Sequence, residues 1–393
     1  MDRRIASLAA RADVAAARAW IEGHDAETLA LQRTVTAIPA PSFAEEARGR
    51  FVAERMRAIG LADVRTDSAG NVLGRYGEGA GPGVVIAAHL DTVFPAETDV
   101  TAREAGGRIM APGIGDNGRG LAALLALAEA CVACRVATTT PVTCVATVGE
   151  EALGDLRGVK HLFADQGFRP VGFIALDGPG LARIVHRALG IRRRRVTYRG
   201  PGGHSWASFG VPNPADAVAA AAAALAGIPL PSEPRATLSV VRLGGGTSIN
   251  TIPTEAWFEM DLRTESAGAL AELDAAVQAA CTRALESVNR RRATGTAPLT
   301  LESTPLGARP PGATAETHPL VQAALAATRT LGGTPALAAA STDANVPMEH
   351  GIPAIALGAG GKGGDAHLPT EWYENADGPA GIVRALLVAL AAG

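Results

Sequence analysis

The sequence predicts an α/β fold with a second domain inserted into it, and three observations support this prediction. Short apolar runs, each typical of a buried strand, alternate with helical patterns in the first half of the chain and again near its end. Between 188 and 304 the order changes to several strands with two alanine-rich helices, which is typical of an α+β domain. The length of 393 residues also exceeds what one hydrophobic core usually serves. We therefore expect a first domain made of 1–187 and 305–393, with the inserted domain at 188–304.

Composition and charge favour a soluble, cytoplasmic protein that binds neither nucleic acid nor membranes. Hydrophobic residues make up 47% and charged residues 19% of the chain, and a net charge of −3 gives no attraction to polyanions. Residues 1–20 mix charges into alanines, which excludes a standard signal peptide. The apolar stretches at 121–128 and 217–230 are too short or too rich in alanine to span a bilayer.

The cysteines are expected to be buried and reduced. Cys131, Cys134, Cys144 and Cys281 fall in apparent core helices and strands, which is typical of proteins in a reducing compartment. Cys131 and Cys134 form a C-x-x-C pair. Because the pair lies inside a helical pattern and no second pair exists, we favour a structural role over a redox or zinc role.

The first apolar run that ends in polar residues is Gly83–Ala88, which follows helical patterns at about 9–22 and 43–59. It leads directly into His89 and Asp91. Side chains alternate along a strand, so these two point to the same side. Asp91 could then accept the second ring N–H of His89, which is how carboxylates orient metal-binding imidazoles.

Asp116 lies in a glycine-rich segment, Gly113–Gly120, ahead of a helical pattern at 121–134. Glycines on both sides permit unusual backbone dihedrals and close approach of other segments. Taken alone, Asp116 would be interpreted as the N-cap of that helix. The other histidine and acidic positions along the chain favour a second interpretation, a ligand of a metal ion.

Two adjacent glutamates, Glu150 and Glu151, follow the β-branched, uncharged run 141–148, which predicts a buried strand. Ligands of open α/β sheets bind at the carboxyl ends of the strands, so this pair is placed for chemistry. Two neighbouring carboxylates repel each other. A cation should therefore hold at least one of them, and the rest of the chain suggests metal ions.

Two further apolar runs lead to candidate ligands. The run 171–176 ends in Asp177, and the run 352–358 leads through a glycine-rich loop to His367. Four apolar runs thus lead toward a histidine or a carboxylate, and this repetition favours a metal site over separate core histidines and capping residues. The loop 358–364 lacks the Gly-Lys-Ser/Thr ending of a phosphate-binding loop, so we do not expect it to bind phosphate.

The insertion shows an alternation of strand and helix patterns unlike that of the flanking chain. The predicted strands are 192–198, 236–243 and 256–262, and the predicted helices are 214–227 and 266–288. Four consecutive arginines, Arg192–Arg195, could indicate nucleic-acid binding. We expect them instead to lie on a partly solvated strand that protects a sheet edge.

The sequence resembles the cocatalytic zinc peptidases and amidohydrolases that include peptidase T, carboxypeptidase G, aminoacylase and succinyl-diaminopimelate desuccinylase. The motifs that carry the resemblance, in family order, are His89-Leu90-Asp91-Thr92-Val93, Gly115-Asp116-Asn117-Gly118, Gly149-Glu150-Glu151, Asp177-Gly178, Gly202-Gly203-His204-Ser205, Gly246–Pro253, Asp261-Leu262-Arg263 and Asp365-Ala366-His367. The resemblance implies a catalytic domain with a mixed central sheet flanked by helices. It also implies that the insertion is a ferredoxin-like lid and dimerisation domain.

The resemblance assigns two metal ions to the matching residues. Asp116 would bridge both ions, with His89 and Asp177 on one ion and Glu151 and His367 on the other. Imidazole and carboxylate ligands suit Zn²⁺, with Co²⁺ or Mn²⁺ as substitutes. Residue types alone do not decide which of the two adjacent glutamates binds metal.

The remaining matches imply catalytic and substrate-holding roles. Glu150 would be the general base, and Asp91 would orient the histidine beside it. In the resembled family the insertion dimerises, so His204 would act in the partner subunit's active site. Asn250 and Arg263 would help to hold the substrate, since a guanidinium binds a carboxylate through two parallel hydrogen bonds.

The expected activity is hydrolysis of one amide bond in a dipeptide, tripeptide or isopeptide. Asp177 favours this class, because the resembled aminopeptidases and dipeptidases have Asp at this position and the carboxypeptidases and deacylases usually have Glu. The segments 205–210 and 341–345 also resemble peptidase T. An N-acyl- or N-carbamoyl-amino-acid amidohydrolase is the nearest alternative. A non-catalytic metal-binding interaction protein is the alternative from another class.

Overall fold

Two units make up the chain in the computed structural model, which describes all 393 residues. The larger unit contains Met1–Ala188 and Ala313–Gly393, and the smaller unit contains Leu189–Gly312. The smaller unit extends beyond the end expected at 304, because the strand Thr300–Arg309 belongs to its sheet.

Strands and helices alternate along most of the chain. The strands are β1 (Ala62–Thr66), β2 (Val72–Tyr76), β3 (Val84–His89), β4 (Arg103–Ala105), β5 (Arg108–Met110), β6 (Val142–Thr147), β7 (Gly172–Leu176), β8 (Arg183–Ala188), β9 (Gly190–Arg199), β10 (Gly203–His204), β11 (Ala236–Gly245), β12 (Thr251–Ile252), β13 (Glu255–Thr264), β14 (Thr300–Arg309), β15 (Gly312–Ala313), β16 (Ala336–Ala340), β17 (Ala354–Leu357), β18 (Lys362–Gly364) and β19 (Trp372–Glu374). The helices are α1 (Asp2–Ala9), α2 (Ala12–Gly23), α3 (Asp25–Thr36), α4 (Glu46–Ile59), α5 (Gly120–Cys134), α6 (Arg157–Ala164), α7 (Pro214–Ala226), α8 (Ala267–Arg290), α9 (Pro319–Thr330), α10 (Asn345–Glu349) and α11 (Gly378–Ala392).

The central sheet of the larger unit is mixed, which confirms the predicted fold class. Its order is β1-β2-β6-β3-β7-β17-β8-β15, with β16 also paired to β8. β3 runs parallel to β6 and β7, and β17 runs parallel to β7, whereas β2 is antiparallel to β6 and β8 is antiparallel to β17. The carboxyl ends of β6, β3, β7 and β17 therefore lie at the same edge of the sheet.

Helices cover both faces of this sheet. Val84, Ile86 and Ala88 of β3 share one hydrophobic cluster with α5, α9 and α11. Val85 and Ala87 share another cluster with α6 and α10. Because side chains alternate along a strand, these clusters cover opposite faces. A strand covered on both faces needs a continuous apolar sequence, which is why β3 and its neighbours are apolar up to their ends.

Helix α5 is the core helix of the larger unit. Together with the preceding turn, Ile114–Cys134 is long and apolar enough to cross a membrane by length and composition alone. However, 78% of its most apolar window is buried inside the protein. Leu121, Leu124 and Leu125 are fully buried in the cluster that also contains α9 and α11. Its apolar surface is therefore accounted for by packing within the fold.

The smaller unit has an antiparallel sheet in the order β11-β13-β9-β14. Along β13, buried and partly buried residues alternate, and Phe258, Met260 and Leu262 are the large apolar side chains among the buried ones. These side chains pack with α7 and α8 in one hydrophobic cluster. The two helices cover one face of the sheet, as the alternating pattern at 256–262 indicates.

The arginine run lies in the interior of this sheet, so the prediction that it protects a sheet edge is wrong. β9 pairs with β13 on one side and with β14 on the other. Carboxylates on neighbouring elements pair with the arginines at short N–O distances: Arg193–Asp261 at 2.9 Å, Arg194–Asp274 at 2.7 Å and Arg195–Glu259 at 3.2 Å. An interior strand can carry these charges because the guanidinium groups of Arg193, Arg194 and Arg195 each reach an acidic partner.

Candidate metal centre

The candidate metal centre lies where four neighbouring strands end. β6, β3, β7 and β17 are adjacent in the central sheet. His89 is the last residue of β3, Asp177 directly follows β7, Glu151 lies in the turn after β6, and His367 lies on the loop beyond β17. The sheet therefore brings residues that are far apart in the sequence to one edge.

Asp116 lies between the two histidines. Its Oδ1 is 3.0 Å from His89 Nε2, and its Oδ2 is 3.2 Å from His367 Nε2. His367 Nε2 also lies 3.0 Å from Glu151 Oε1. One carboxylate therefore contacts both imidazoles through different oxygens, which is the arrangement that a bridging ligand requires.

The potential ligand atoms form two overlapping groups. His89, Asp116 and Asp177 form one group, and Asp116, Glu151 and His367 form the other; within each, the nitrogen and oxygen atoms all lie within 4.8 Å of one another. Asp116 belongs to both groups. Imidazole nitrogen and carboxylate oxygen are ligands that zinc, cobalt and manganese accept in proteins. The residues present thus fit a centre of two metal ions.

Asp116 is not the cap of α5, so the alternative interpretation of this residue does not hold. Instead, Asn117 Oδ1 accepts the backbone N–H of Gly120 in the first turn of α5 at 3.0 Å. The neighbouring glycine is required by close approach, because a Cβ at Gly118 would lie 2.3 Å from Thr36 Oγ1. The segment folds tightly enough to turn the Asp116 carboxylate toward the histidines.

Asp91 fixes the turn that carries both glutamates. It is fully buried, and its two carboxylate oxygens accept the backbone N–H groups of Glu150 and Glu151, each at 2.9 Å. The Ser42 hydroxyl donates to the same carboxylate at 2.6 Å. His89 Nδ1 lies 3.0 Å from the carbonyl oxygen of Asp91 and 3.6 Å from its carboxylate. Asp91 thus holds the glutamate turn with its carboxylate and meets the His89 ring nitrogen more closely through its backbone carbonyl, whereas the sequence predicted that the carboxylate accepts the ring N–H.

The crowded carboxylates shift the pKa values of this site. Burial and the charge of Asp116 raise the pKa of Asp177 to about 7. Hydrogen bonds to Asp116 and Glu151 raise the pKa of His367 to about 10. Burial alone would lower the pKa of His89, but its carboxylate partners outweigh burial and raise it. The raised pKa values of both histidines reflect excess negative charge, and the charge of Asp116 adds to burial in raising that of Asp177; this excess favours the binding of cations.

Comparison with known families agrees with this geometry. The sequence model of peptidase family M20/M25/M40 matches residues 85–390, which is most of the chain. The chain belongs to peptidase family M20/M25/M40. It is therefore an enzyme of a metal-dependent peptidase family, and the resemblance found in the sequence is confirmed.

No curated protein sequence matches this M20-family chain, but solved structures do. An aminopeptidase PepT from Bacillus cereus is 19% identical, with a TM-score of 0.72, and the match covers 93% of this chain and 98% of that one. A tripeptidase from Staphylococcus aureus is 19% identical, with a TM-score of 0.76 and coverage of 94% and 98%. The YxeP protein of Bacillus subtilis, described as a dinuclear metal-binding peptidase of the M20 family, is 17% identical, with a TM-score of 0.67 and coverage of 94% and 98%. At these identities the likeness shows a shared fold.

The raised histidine pKa values predict how metal binding depends on pH. A divalent metal ion such as zinc binds neutral imidazole, so an ion held by His367 would have to displace the proton that this residue keeps up to a pH of about 10. Zinc affinity should therefore keep rising above pH 7, by up to about tenfold per pH unit for each proton released. An ordinary histidine, with a pKa of about 6.5, would let the affinity level off near neutral pH. Chelator competition between pH 6 and 8.5 measures the slope, and a flat profile above pH 7 would contradict the prediction.

Residues predicted for substrate contact lie in the smaller unit and are partly brought together. His204 of β10 pairs with Thr251 of β12, and the backbone N–H of Ser205 donates to the carbonyl of Asn250 at 2.9 Å. His204 and Asn250 are thus neighbours, and both are exposed. Arg263 lies on β13, where its guanidinium donates to the carboxylate of Asp261 at 2.7 Å.

Three buried or half-buried residues beside the centre were missed by the sequence analysis. Ser42 contacts the Asp91 carboxylate, as described above, and Arg48 donates to the carbonyl of Leu90 at 2.7 Å, between two predicted site residues. Glu371 is 1% exposed, and burial raises its pKa to about 7. None of the three follows an apolar run. Ser42 donates to the side chain of Asp91, whereas Arg48 and Glu371 contact backbone groups of segments far away in the sequence. A local sequence pattern gives no signal for such contacts.

Proposed function

We propose that this M20-family chain hydrolyses one amide bond of a dipeptide, tripeptide or isopeptide with the help of two zinc ions. The observation that carries the proposal is the position of Asp116, whose two oxygens contact both histidines and which belongs to both ligand groups. Glu150 lies in a third group with His89 and Glu151, whose nitrogen and oxygen atoms are also within 4.8 Å of one another, so its carboxylate lies beside the assigned ligands, where a general base is needed.

The two ligand groups suggest how the metal ions are held. We assign His89 and Asp177 to one ion, Glu151 and His367 to the other, and Asp116 to both. Two divalent cations, when bound, lower the pKa of water and polarise a carbonyl group. The three carboxylate ligands neutralise three of the four positive charges. The ligands therefore leave the centre able to attract the oxygen of a substrate carbonyl.

Glu150 is the general base in this proposal. Its side chain is 5% exposed, and its backbone is held by Asp91 next to the ligand groups. Glu150 takes a proton from the attacking water and transfers it to the nitrogen of the leaving amine. The carbon–nitrogen bond then breaks, which releases a carboxylate and an amine.

Two observations favour short peptides as substrates. Position 177 carries aspartate, as in the aminopeptidases and dipeptidases that the sequence resembles. The solved structures that share the fold include an aminopeptidase and a tripeptidase. Asn250 and Arg263 are proposed to hold the substrate, and Arg263 would have to exchange the Asp261 carboxylate for that of the substrate.

A substrate panel with the zinc-loaded protein tests this function. It should contain dipeptides, tripeptides, isopeptides, and N-acetyl and N-carbamoyl amino acids. Cleavage of peptides supports the proposal, whereas cleavage of N-acyl or N-carbamoyl compounds alone would favour the amidohydrolase alternative. A protein that binds zinc and cleaves none of these compounds would favour a non-catalytic role. Repeating the panel with Co²⁺ and Mn²⁺ compares the three candidate metals.

We also propose that the chain forms a homodimer through the smaller unit. β11 is an edge strand, and its exposed apolar residues Val241 and Leu243 are 56% and 66% exposed. An unprotected edge with apolar side chains is a surface on which another strand can pair. The sequence resemblance implies that His204 then acts in the active site of the partner subunit.

Mixed dimers test this assignment of His204. His204→Ala and Glu150→Gln chains, dissociated and reassociated together in equal amounts, should recover roughly one quarter of wild-type activity. Half of the random dimers are mixed, and one of their two sites combines an intact glutamate with an intact histidine. Each variant alone should be nearly inactive. If light scattering shows dimers and no activity returns, His204 does not act across subunits.

We propose a cytoplasmic location from the state of the cysteines. All four are free, and burial raises the pKa of the Cys131 and Cys144 thiols. Thiols with a raised pKa are poor nucleophiles, so they persist as apolar core residues in a reducing compartment. The Cys131 and Cys134 pair lies in α5, where packing accounts for it.

A further inference from the structure

We propose that Glu371 is a positioning residue that fixes the loop presenting Asp116 to the metal ions. Its buried carboxylate accepts three backbone N–H groups. Oε2 accepts the N–H of Gly113, and Oε1 accepts those of Gly115 and Asp116, each at 2.8 Å. Glu371 thus acts on the bridging ligand through the backbone. The inference rests on the proposed metal centre and adds a residue outside its ligand set.

The loop is shaped around this carboxylate. Gly113, whose N–H donates to Glu371, has a φ of +78°, a conformation that favours glycine. A Cβ at Gly115 would lie 3.1 Å from Glu371 Oε1, so a side chain there would press on the carboxylate. Fixing the N–H of Asp116 restricts the rotation of its backbone. The direction in which its side chain leaves the chain is restricted with it.

Glu371 also connects two ligand-bearing segments. It lies four residues after His367, and its own N–H donates to the carbonyl of Leu368 at 3.0 Å. The next residue, Trp372, pairs with Met110 between β19 and β5, directly before the Asp116 loop. The carboxylate therefore fixes the Asp116 loop against the segment that carries His367. Both residues belong to the same ligand group.

A purely structural role is the competing explanation, and it makes different predictions. If Glu371 only stabilises the fold, its loss lowers the melting temperature and leaves zinc affinity unchanged. If it positions Asp116, its loss weakens zinc binding even in a folded protein. Residues that orient metal ligands typically change metal affinity by about 10–100-fold when they are mutated.

Glu371→Gln separates the two explanations. The amide keeps one acceptor oxygen and turns an NH₂ group toward buried N–H donors, so at least one of them loses its partner. We expect zinc affinity, measured on the full chain by competition with a chromophoric chelator, to fall by about 10–100-fold. The absorption spectrum of the Co²⁺-loaded protein should change as well, because it reports ligand geometry. Excess zinc should restore part of the lost activity.

Two further variants complete the experiment. Asp67→Asn is the matched control, because Asp67 Oδ1 also accepts three backbone N–H groups, those of Ala69, Gly70 and Asn71, in a turn without proposed ligands. It should lower the melting temperature without changing zinc affinity. Gly115→Ala keeps the glutamate at position 371 but pushes its carboxylate away, so it should weaken zinc binding several-fold even if Glu371→Gln fails to fold.

The outcomes distinguish this inference from the proposed function. Wild-type chain that binds no zinc would contradict the metal centre itself. Wild-type binding with unchanged zinc affinity and an unchanged Co²⁺ spectrum in Glu371→Gln, or in Gly115→Ala if the first variant does not fold, would overturn only the positioning role. Weaker zinc binding in the control Asp67→Asn, to the same extent, would overturn it too.

Discussion

Glu150→Gln should lower kcat by about 10²–10⁴-fold, the usual contribution of a general base, while two metal ions per chain stay bound. Glutamine has the shape of glutamate but takes no proton at neutral pH, so it removes the proton transfer and leaves the packing intact. Glu150 is not among the assigned metal ligands. Metal content and KM should therefore stay close to those of the wild-type chain. Steady-state kinetics, with metal analysis of the same sample, measures both quantities.

The matched control is Glu129→Gln, the same substitution on α5. Glu129 lies 3.4 Å from Arg55 in a half-exposed ion pair, which contributes little to stability. The kcat of the Glu129→Gln variant should equal that of the wild-type chain. If Glu150→Gln retains substantial turnover with both metals bound, another group takes the proton. Loss of metal from Glu150→Gln would instead show that this glutamate is a ligand.

The parallel strands of the central sheet could be predicted because both of their faces are buried. All residues of β3 and β6 are buried, so the sequence of each is a continuous apolar run. The first polar residue after such a run is then conspicuous. β1 and β4 were not predicted, because their residues are mostly exposed and their sequences do not differ from those of loops.

The ligand types could also be predicted, but their assembly could not be derived from the pattern alone. His367 and Glu151 lie 3.0 Å apart although 216 positions separate them in the sequence. Such a contact depends on the order of strands in the sheet, which no local pattern specifies. The family resemblance supplied the pairing instead. It offered nothing for Glu371, whose role in the structure is to accept backbone N–H groups.

The position of the arginine run, Arg192–Arg195, in its sheet could not be predicted from the sequence. Four adjacent charges suggested a solvated edge strand, but β9 is an interior strand in register with acidic residues. Arg193 lies opposite Asp261 and Arg195 lies opposite Glu259. Whether a charged strand is interior depends on its cross-strand partners, and these are far away in the sequence. The sequence showed the charges without showing which of them meet.

Asp116→Asn should cause a larger loss than any other single ligand substitution, because it removes the carboxylate shared by both ligand groups. Asparagine keeps the size of the side chain but removes one of the three negative charges that balance the cations. We expect fewer than two ions per chain after dialysis. Activity should fall by at least as much as in Glu150→Gln, that is by about 10²–10⁴-fold or more. Metal analysis and steady-state kinetics check both expectations.

The same substitution has a consequence in the metal-free protein that does not depend on activity. Asp116 is the leading cause of the raised pKa of His367, about 10, and its charge helps to raise the pKa of Asp177 to about 7. Both pKa values should therefore move toward their ordinary values when Asp116 becomes neutral. NMR titration of the His367 ring measures the first shift, with Glu129→Gln as the control. An unchanged His367 pKa in Asp116→Asn would mean that the two side chains do not meet, and one carboxylate could not then serve two ions.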